Sequence, residues 1–189
     1  MENYPNYDSV FAKHIIVTRV GEEETPTLPL EAETELAAQL GLKRSDLHEA
    51  ALQAGIVPRR YLRNIGTIGI KGQLKLFQSK VAVIGCGGLG GHAVELLARI
   101  GVGTLILIDE DVFEDSNLNR QLLCTEADLG KPKVMVACER VEAVNSAVEV
   151  YCFQQRLTRE NARTMLRGAN LVLDALDNFP SRFVLEQAA

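Results

Sequence analysis

From residue 80 onward, short apolar runs alternate with longer segments whose apolar positions recur every three or four residues. "KVAVIG" (80–85) is apolar without alternation, the pattern of a strand covered on both faces. Residues 88–99 carry an apolar helical face, and "TLILID" (104–109) reads as a second buried strand. After a polar loop a helix opens near Pro132, whose fixed φ suits a first helical position. "AVEVYCF" (147–153) is a third strand, Thr158 can cap a helix running to Gly168, and "NLVLD" (170–174) is a fourth strand. Short strands separated by helices predict a Rossmann-like α/β fold, a mostly parallel sheet with helices on both faces. Four strands are about two-thirds of a six-stranded doubly wound sheet. The chain stops at "PSRFVLEQAA", inside an early helix, so the sheet is expected to be truncated at its C-terminal side.

Upstream the pattern differs. "HIIVTRV" (14–20) has the β-branched content of a strand, and "GEEETPTLP" reads as a polar connector interrupted by proline. "LEAETELAAQL" is helical with Gly41 as its stop, and "SDLHEAALQAG" starts at a capping Ser45 and ends at Gly55. The expected organisation is an N-terminal extension with a strand (1–30), a helical hairpin (31–58), and a main domain (59–189). Acidic and basic residues cancel over 31–63, which argues against DNA reading and for packing or dimer contact.

Composition changes this picture little. The chain is 47% hydrophobic and 24% charged, with a formal net charge of −5. An acidic balance argues against nucleic-acid or anionic-membrane partners. No apolar run approaches the roughly 20 residues that span a bilayer, and the N-terminus lacks a signal-peptide pattern, which leaves the cytoplasm as the expected location. The four cysteines form no CxxC pair, so a zinc site built from this chain alone is not expected. Cys138 and Cys152 read as small core residues, and disulfides are not expected in a reducing compartment.

Chemistry concentrates after residue 84. "GCGGLG" (85–90) follows a strand and opens a helix. Gly85 and Gly87 let the backbone turn and approach a phosphate, and Gly90 lets the helix pack on the strand. The helix N-terminus adds free N–H groups and partial positive charge. Cys86 reads either as a thiol with lowered pKa or as a small filler. Asp109 follows Gly90 by nineteen residues, the spacing that brings a carboxylate to ribose hydroxyls. So far a dehydrogenase and an ATP-binding enzyme are equally served. Asn117, Arg120 and Gln121 then follow the second strand, and Lys131 and Lys133 flank Pro132 at a helix start. Arg120 and Lys133 suit a triphosphate, as a forked donor and a point charge on neighbouring oxygens. "LDALDN" (173–178) puts Asp177 past the fourth strand, either as a Mg2+ ligand or as a helix N-cap before Pro180.

Together "RRYLRNIG", "VAVIGCGGLGG", "IDEDVFEDSNLNRQ", "GKPKV" and "LVLDALDN" resemble, in order, the motifs of the ThiF/MoeB/HesA family, relatives of the adenylation domains of ubiquitin-activating enzymes. The resemblance runs from about Arg60 to the end. It implies an adenylyltransferase that uses ATP and Mg2+ to activate the C-terminal Gly-Gly carboxylate of a ubiquitin-like sulfur carrier of the ThiS or MoaD type, as in thiamine or molybdopterin biosynthesis. By motif position, Gly85, Gly87, Gly88, Gly90 and Asp109 would bind the nucleotide. Asn117, Arg120, Gln121 and Lys133 would surround its phosphates, and Asp177 would bind Mg2+. Arg63 would reach the ATP of the other subunit of a homodimer. A reactive cysteine loop and CxxC zinc ligands would lie beyond Ala189. The alternatives are an NAD(P)-dependent Rossmann oxidoreductase domain, which leaves Asn117, Arg120, Lys133 and Asp177 idle, and a non-catalytic nucleotide-binding regulator.

Overall fold

The computed structural model describes residues 8–20 and 23–188. It divides into two compact units, Met1–Gln78 and Ser79–Ala189.

The first unit contains α1 (Asp8–Phe11), β1 (Ile16–Val20), β2 (Glu23–Leu28), α2 (Leu30–Leu40), α3 (Arg44–Gln53), β3 (Val57–Pro58) and α4 (Leu62–Phe77). β1 and β2 are antiparallel, and β3 adds a short parallel pairing to β2. The segment expected as a connector is therefore strand β2, with Gly21 and Glu22 outside the described residues. Its alternation explains the difference. Thr25, Thr27 and Leu28 are buried, and Thr27 Oγ1 donates to the Ile16 carbonyl at 2.7 Å. α2 ends at Gly41 in the left-handed region, as expected. Ser45 is not the cap of α3. Lys43 holds that position without a side-chain cap bond, because the first turn closes from Leu47 N–H to the Lys43 carbonyl. Buried Leu47 and Ala51 then face Phe11, Leu28 and Leu36 in this unit's core. α4 was not foreseen, since glycines crowd its sequence. Gly69 breaks its helical geometry at φ 66°.

The second unit contains β4 (Lys80–Ile84), α5 (Gly88–Ile100), β5 (Thr104–Ile108), α6 (Lys133–Val144), β6 (Glu149–Phe153), α7 (Arg159–Met165), β7 (Leu171–Asp174) and α8 (Phe179–Ala188). Its four strands are all parallel, in the order β6-β5-β4-β7. Each expected strand is present within two residues of its expected bounds. Ala82, Ile84, Ile106 and Ile108 of the central strands pack against Ala162 and Met165 of α7 and Leu185 of α8. Thr158 caps α7 in a reciprocal capping box with Asn161. Pro132 stands one position earlier than expected, as the N-cap of α6, where it bridges Val112. No helix of the described residues is long and apolar enough to cross a membrane.

Glu95 ties α5 to α6. Its oxygens accept from Arg140 Nε at 2.7 Å and Nη2 at 2.8 Å, and from Arg99 Nε at 2.7 Å. The Arg140 hydrogen bond, joined by that of Arg99, holds the Glu95 carboxyl below the usual glutamate range. A carboxylate depressed in the folded state stabilises the fold above its unfolded pKa of about 4.3, and that share is lost as pH falls through the folded value. Glu95→Gln is expected to cost about 1.5–3 kcal/mol in urea unfolding at pH 7 and progressively less toward pH 3.

Cys138 and Cys152 are not separate core thiols. They form a disulfide that joins α6 to β6, with Cα atoms 6.5 Å apart. α6 packs directly on β6, and both residues are only half-buried. Thiol titration of the unreduced, denatured protein should therefore find Cys86 and Cys124 alone. Reduction is expected to cost about 3 kcal/mol from the loop of 14 residues it releases. A titre of four thiols after air oxidation would refute the pairing.

Candidate active site

The carboxyl ends of the four strands meet at the turn after β4. Gly85 closes that strand by donating its N–H to the Ile108 carbonyl at 2.8 Å, then turns at φ 96°. A Cβ there would sit 2.8 Å from the Ala175 carbonyl oxygen, so the turn fits tightly against the end of β7. At Gly90 a Cβ would fall onto the Gly85 carbonyl, so only glycine lets α5 start this close to the strand it follows. Gly87 is the N-cap of α5 and offers no side chain to its first turn, whose N–H groups are left for a ligand.

Asp109, just past β5, holds this turn. Its Oδ2 accepts the Cys86 N–H at 2.6 Å and its Oδ1 the Asp111 N–H at 2.8 Å. Burial pushes the Asp109 carboxyl upward, while the two backbone bonds and Lys133 oppose the rise. Cys86 is fully buried, and burial pushes its thiol up. That is the opposite of an activated cysteine and fits the filler reading.

Lys133 opens α6 and is buried, with Nζ 2.9 Å from Asp111 Oδ2. A backbone ladder positions it. Gly130 N–H meets the Phe113 carbonyl, Phe113 N–H the Lys131 carbonyl, and Lys133 N–H the Asp111 carbonyl. Arg120 is exposed, with Nη1 held by the Ser116 carbonyl at 2.7 Å and Asn119 Oδ1 at 2.8 Å. Gln121 is buried under the glycine turn, where a Cβ on Gly87 would lie 3.7 Å from its Nε2. Its Oε1 has no hydrogen-bond partner, a cost that a ligand donor would remove. Asp177 is exposed past β7, with Asn178 Nδ2 3.3 Å from its Oδ1. The helix cap is Asn178, whose Oδ1 accepts the Ser181 N–H at 3.0 Å, so Asp177 is left for other work.

These residues line one cleft of about 550 Å³: Gly85, Gly87, Gly88, Asp109, Arg120, Gln121, Lys133 and Asp177. Three expected residues fall elsewhere, Gly90 because it packs the start of α5 against the Gly85 carbonyl rather than lining the cleft. Asn117 is not on the cleft wall. It is buried in its own turn, where Oδ1 accepts the Glu114 N–H at 3.1 Å in a capping box. Arg63 lies on α4, in the first unit. Conversely, Gln155, Arg156, Ser181 and Arg182 also line the cleft and were not anticipated. Arg156 follows the end of β6, so the rule that ligands gather at strand carboxyl ends could have found it. Arg182 sits one turn into α8 and carries no such signal.

The donor set suits a nucleoside triphosphate. A bare helix start and two cations favour phosphate, the orphaned Gln121 oxygen awaits a donor, and Asp109 stands where ribose hydroxyls would come. One carboxylate beside phosphates also suits Mg2+, which uses one or two carboxylates together with substrate oxygens. Among the described residues there is no cluster of three or more His, Cys, Asp or Glu side chains able to hold a metal unaided.

A parallel sheet in this order, with a glycine turn and a carboxylate at its carboxyl edge, defines a Rossmann-type nucleotide-binding class of domain. More narrowly, the chain belongs to the ThiF family, whose sequence model matches residues 61–189. It is 41% identical over 128 residues to the SAMP-activating enzyme E1 of Haloferax volcanii, covering 67% of this chain and 47% of that protein. It is 44% identical over 122 residues to the sulfur carrier protein adenylyltransferase of Thermus thermophilus, covering 65% and 45%. Among solved structures, E. coli tRNA N6-threonylcarbamoyladenosine dehydratase, TcdA, in complex with ATP superposes with a TM-score of 0.65 at 30% identity, over 67% of this chain and 53% of that one. The chain thus spans about half the length of these three relatives.

Proposed function

We propose that this chain is the nucleotide-binding part of an ATP-dependent adenylyltransferase. Its substrate would be the C-terminal glycine carboxylate of a ubiquitin-like sulfur carrier. The observation that carries the reading is the convergence of Arg120, Gln121, Lys133 and Asp177 on the cleft beside the glycine turn. The names of the two sequence relatives support it.

In the proposed reaction a carboxylate oxygen attacks the α-phosphorus of ATP. The bond to the oxygen bridging the α- and β-phosphates breaks, and pyrophosphate leaves with that electron pair. The attacking carboxylate is already ionised at pH 7, so no general base is needed. Catalysis then rests on alignment and on charge neutralisation. Asp109 would orient the ribose, the start of α5 and the Gln121 Nε2 amide would seat the phosphates, and Lys133 and Arg120 would meet the charge that develops on them. Mg2+, held at Asp177, would supply further charge neutralisation when bound. Arg63 would act across a homodimer. A cytoplasmic setting would favour reduction of the Cys138–Cys152 disulfide.

The test is ATP–pyrophosphate exchange by the full-length protein, run with a carrier ending in Gly-Gly and, separately, with tRNA, because the TcdA resemblance concerns a tRNA-directed enzyme. Exchange dependent on the carrier supports the proposal. Exchange with tRNA alone reassigns the substrate. Binding of NAD with no binding of Mg-ATP would return the chain to the oxidoreductase reading.

A further inference from the structure

The turn between β7 and α8 is clamped by a residue that the proposed chemistry does not yet use. The Leu176 carbonyl accepts two hydrogen bonds from one guanidinium, from Arg182 Nε at 3.0 Å and from Nη2 at 2.7 Å. Arg182 Nε also lies 3.5 Å from Asp174 Oδ2, and Asp174 Oδ1 accepts the Leu176 N–H at 3.0 Å. Both polar atoms of the Leu176 backbone are thus engaged. The Leu176 carbonyl belongs to the peptide plane that contains the Asp177 nitrogen and Cα, so fixing that plane fixes the backbone point that carries the Asp177 side chain. Asn178, itself locked onto Ser181 N–H, borders the carboxylate on its other side.

A carbonyl this close to solvent does not need two donors for satisfaction, since water would serve. Nor does an arginine with a side chain 48% exposed gain by folding back onto the entry of its own helix, because it gives up rotamer freedom to do so. The planar fork is suited to holding one orientation, and a lysine could not reproduce it. Resting on the proposed function, we infer that Arg182 is a positioning residue: with Asp174 it presets the Asp177 carboxylate for the magnesium ion that accompanies ATP.

Calorimetric binding of ATP to the whole chain, with Mg2+ and then with EDTA, tests this without a turnover assay. For the parent protein Mg2+ should strengthen ATP binding. Arg182→Ala should lose about 10- to 100-fold of that enhancement, the usual effect of removing a residue that orients a metal ligand, with affinity in EDTA unchanged. Asp177→Asn should lose it too, and the double variant should bind no more weakly than Asp177→Asn alone, since the arginine acts through the aspartate. Arg182→Lys, which keeps the charge and the fold but not the fork, should restore only part. Thermal melting checks that each variant is folded.

An equal loss in EDTA would mean that Arg182 touches the nucleotide directly, and would overturn the inference. So would full enhancement in Arg182→Ala, additive losses in the double variant, or complete rescue by lysine. A parent protein that binds no ATP, or binds it with no effect of Mg2+, would bring down the proposed function and this inference together. A failure confined to the variants concerns Arg182 alone.

Discussion

Lys133→Ala is expected to lower carrier-dependent ATP–pyrophosphate exchange by about 10²- to 10³-fold, the cost of removing one preorganised donor from a site of developing charge. The size follows from the setting of the ammonium. Its side chain is 10% exposed, and its counter-ion Asp111 is 62% exposed and labile. When the cleft is empty, Asp111 balances the buried cation. A bound phosphate would take over that role at little rearrangement, because the ladder between 111–113 and 130–133 already fixes the backbone. The loss should fall mainly on turnover rather than on ATP affinity, since neutralisation matters most while the bond to pyrophosphate breaks. Arg120→Ala should act in the same direction but less strongly, because Arg120 is exposed and better screened. Asp111→Asn separates the roles: it frees Lys133 and should leave exchange within about ten-fold of the parent. Exchange rates within a factor of three for Lys133→Ala would remove Lys133 from the proposed mechanism.

What could be read in advance divides by how local the signal is. The second unit was legible because buried parallel strands leave uninterrupted apolar runs, and glycine and Thr158 mark the helix ends between them. Spacing singled out Asp109 and a helix start Lys133, and both line the cleft. Asn117 is absent from the cleft wall for a reason spacing cannot reveal: its amide oxygen accepts the Glu114 N–H inside one turn. β2 was missed because Pro26 and three glutamates outweighed the alternation of Thr25, Thr27 and Leu28, which shows its meaning only when Thr27 meets β1. The Cys138–Cys152 pairing depends on how α6 lies on β6, and Arg182 on how α8 turns back to its own start. Both are three-dimensional facts with no trace in residue order.

The first unit holds its own buried polar core, and Glu33→Ala is expected to destabilise it by about 1–3 kcal/mol, the cost of leaving buried polar groups without their partner. Glu33 and His48 are fully buried, with His48 Nε2 3.0 Å from Glu33 Oε2, an ion-pair distance, although the atoms are not aligned as a hydrogen bond. The Tyr61 hydroxyl lies 3.3 Å from His48 Nδ1, and Arg60 Nη2 lies 3.8 Å from the same Glu33 oxygen. Removing Glu33 takes away the carboxylate beside Arg60 and His48 and leaves a cavity where it stood. Burial holds the His48 pKa below its usual value, and Arg60 and Arg44 push the same way, while Glu33 pulls it up. The unfolded chain therefore binds a proton near pH 6.5 that the folded chain still refuses. More protons on the unfolded state mean that stability rises with pH across that window and is lost as pH falls below about 6.5. Losing Glu33 deepens the depression and should widen the acid-sensitive range. Urea unfolding followed by tyrosine fluorescence from pH 5 to 8 measures both effects. Glu33→Leu with His48→Phe should recover most of the loss at pH 7 and flatten the pH dependence, because apolar packing can replace a buried pair. A cost below about 1 kcal/mol for Glu33→Ala would mean that water reaches the pair and that the core of this unit is not closed around it.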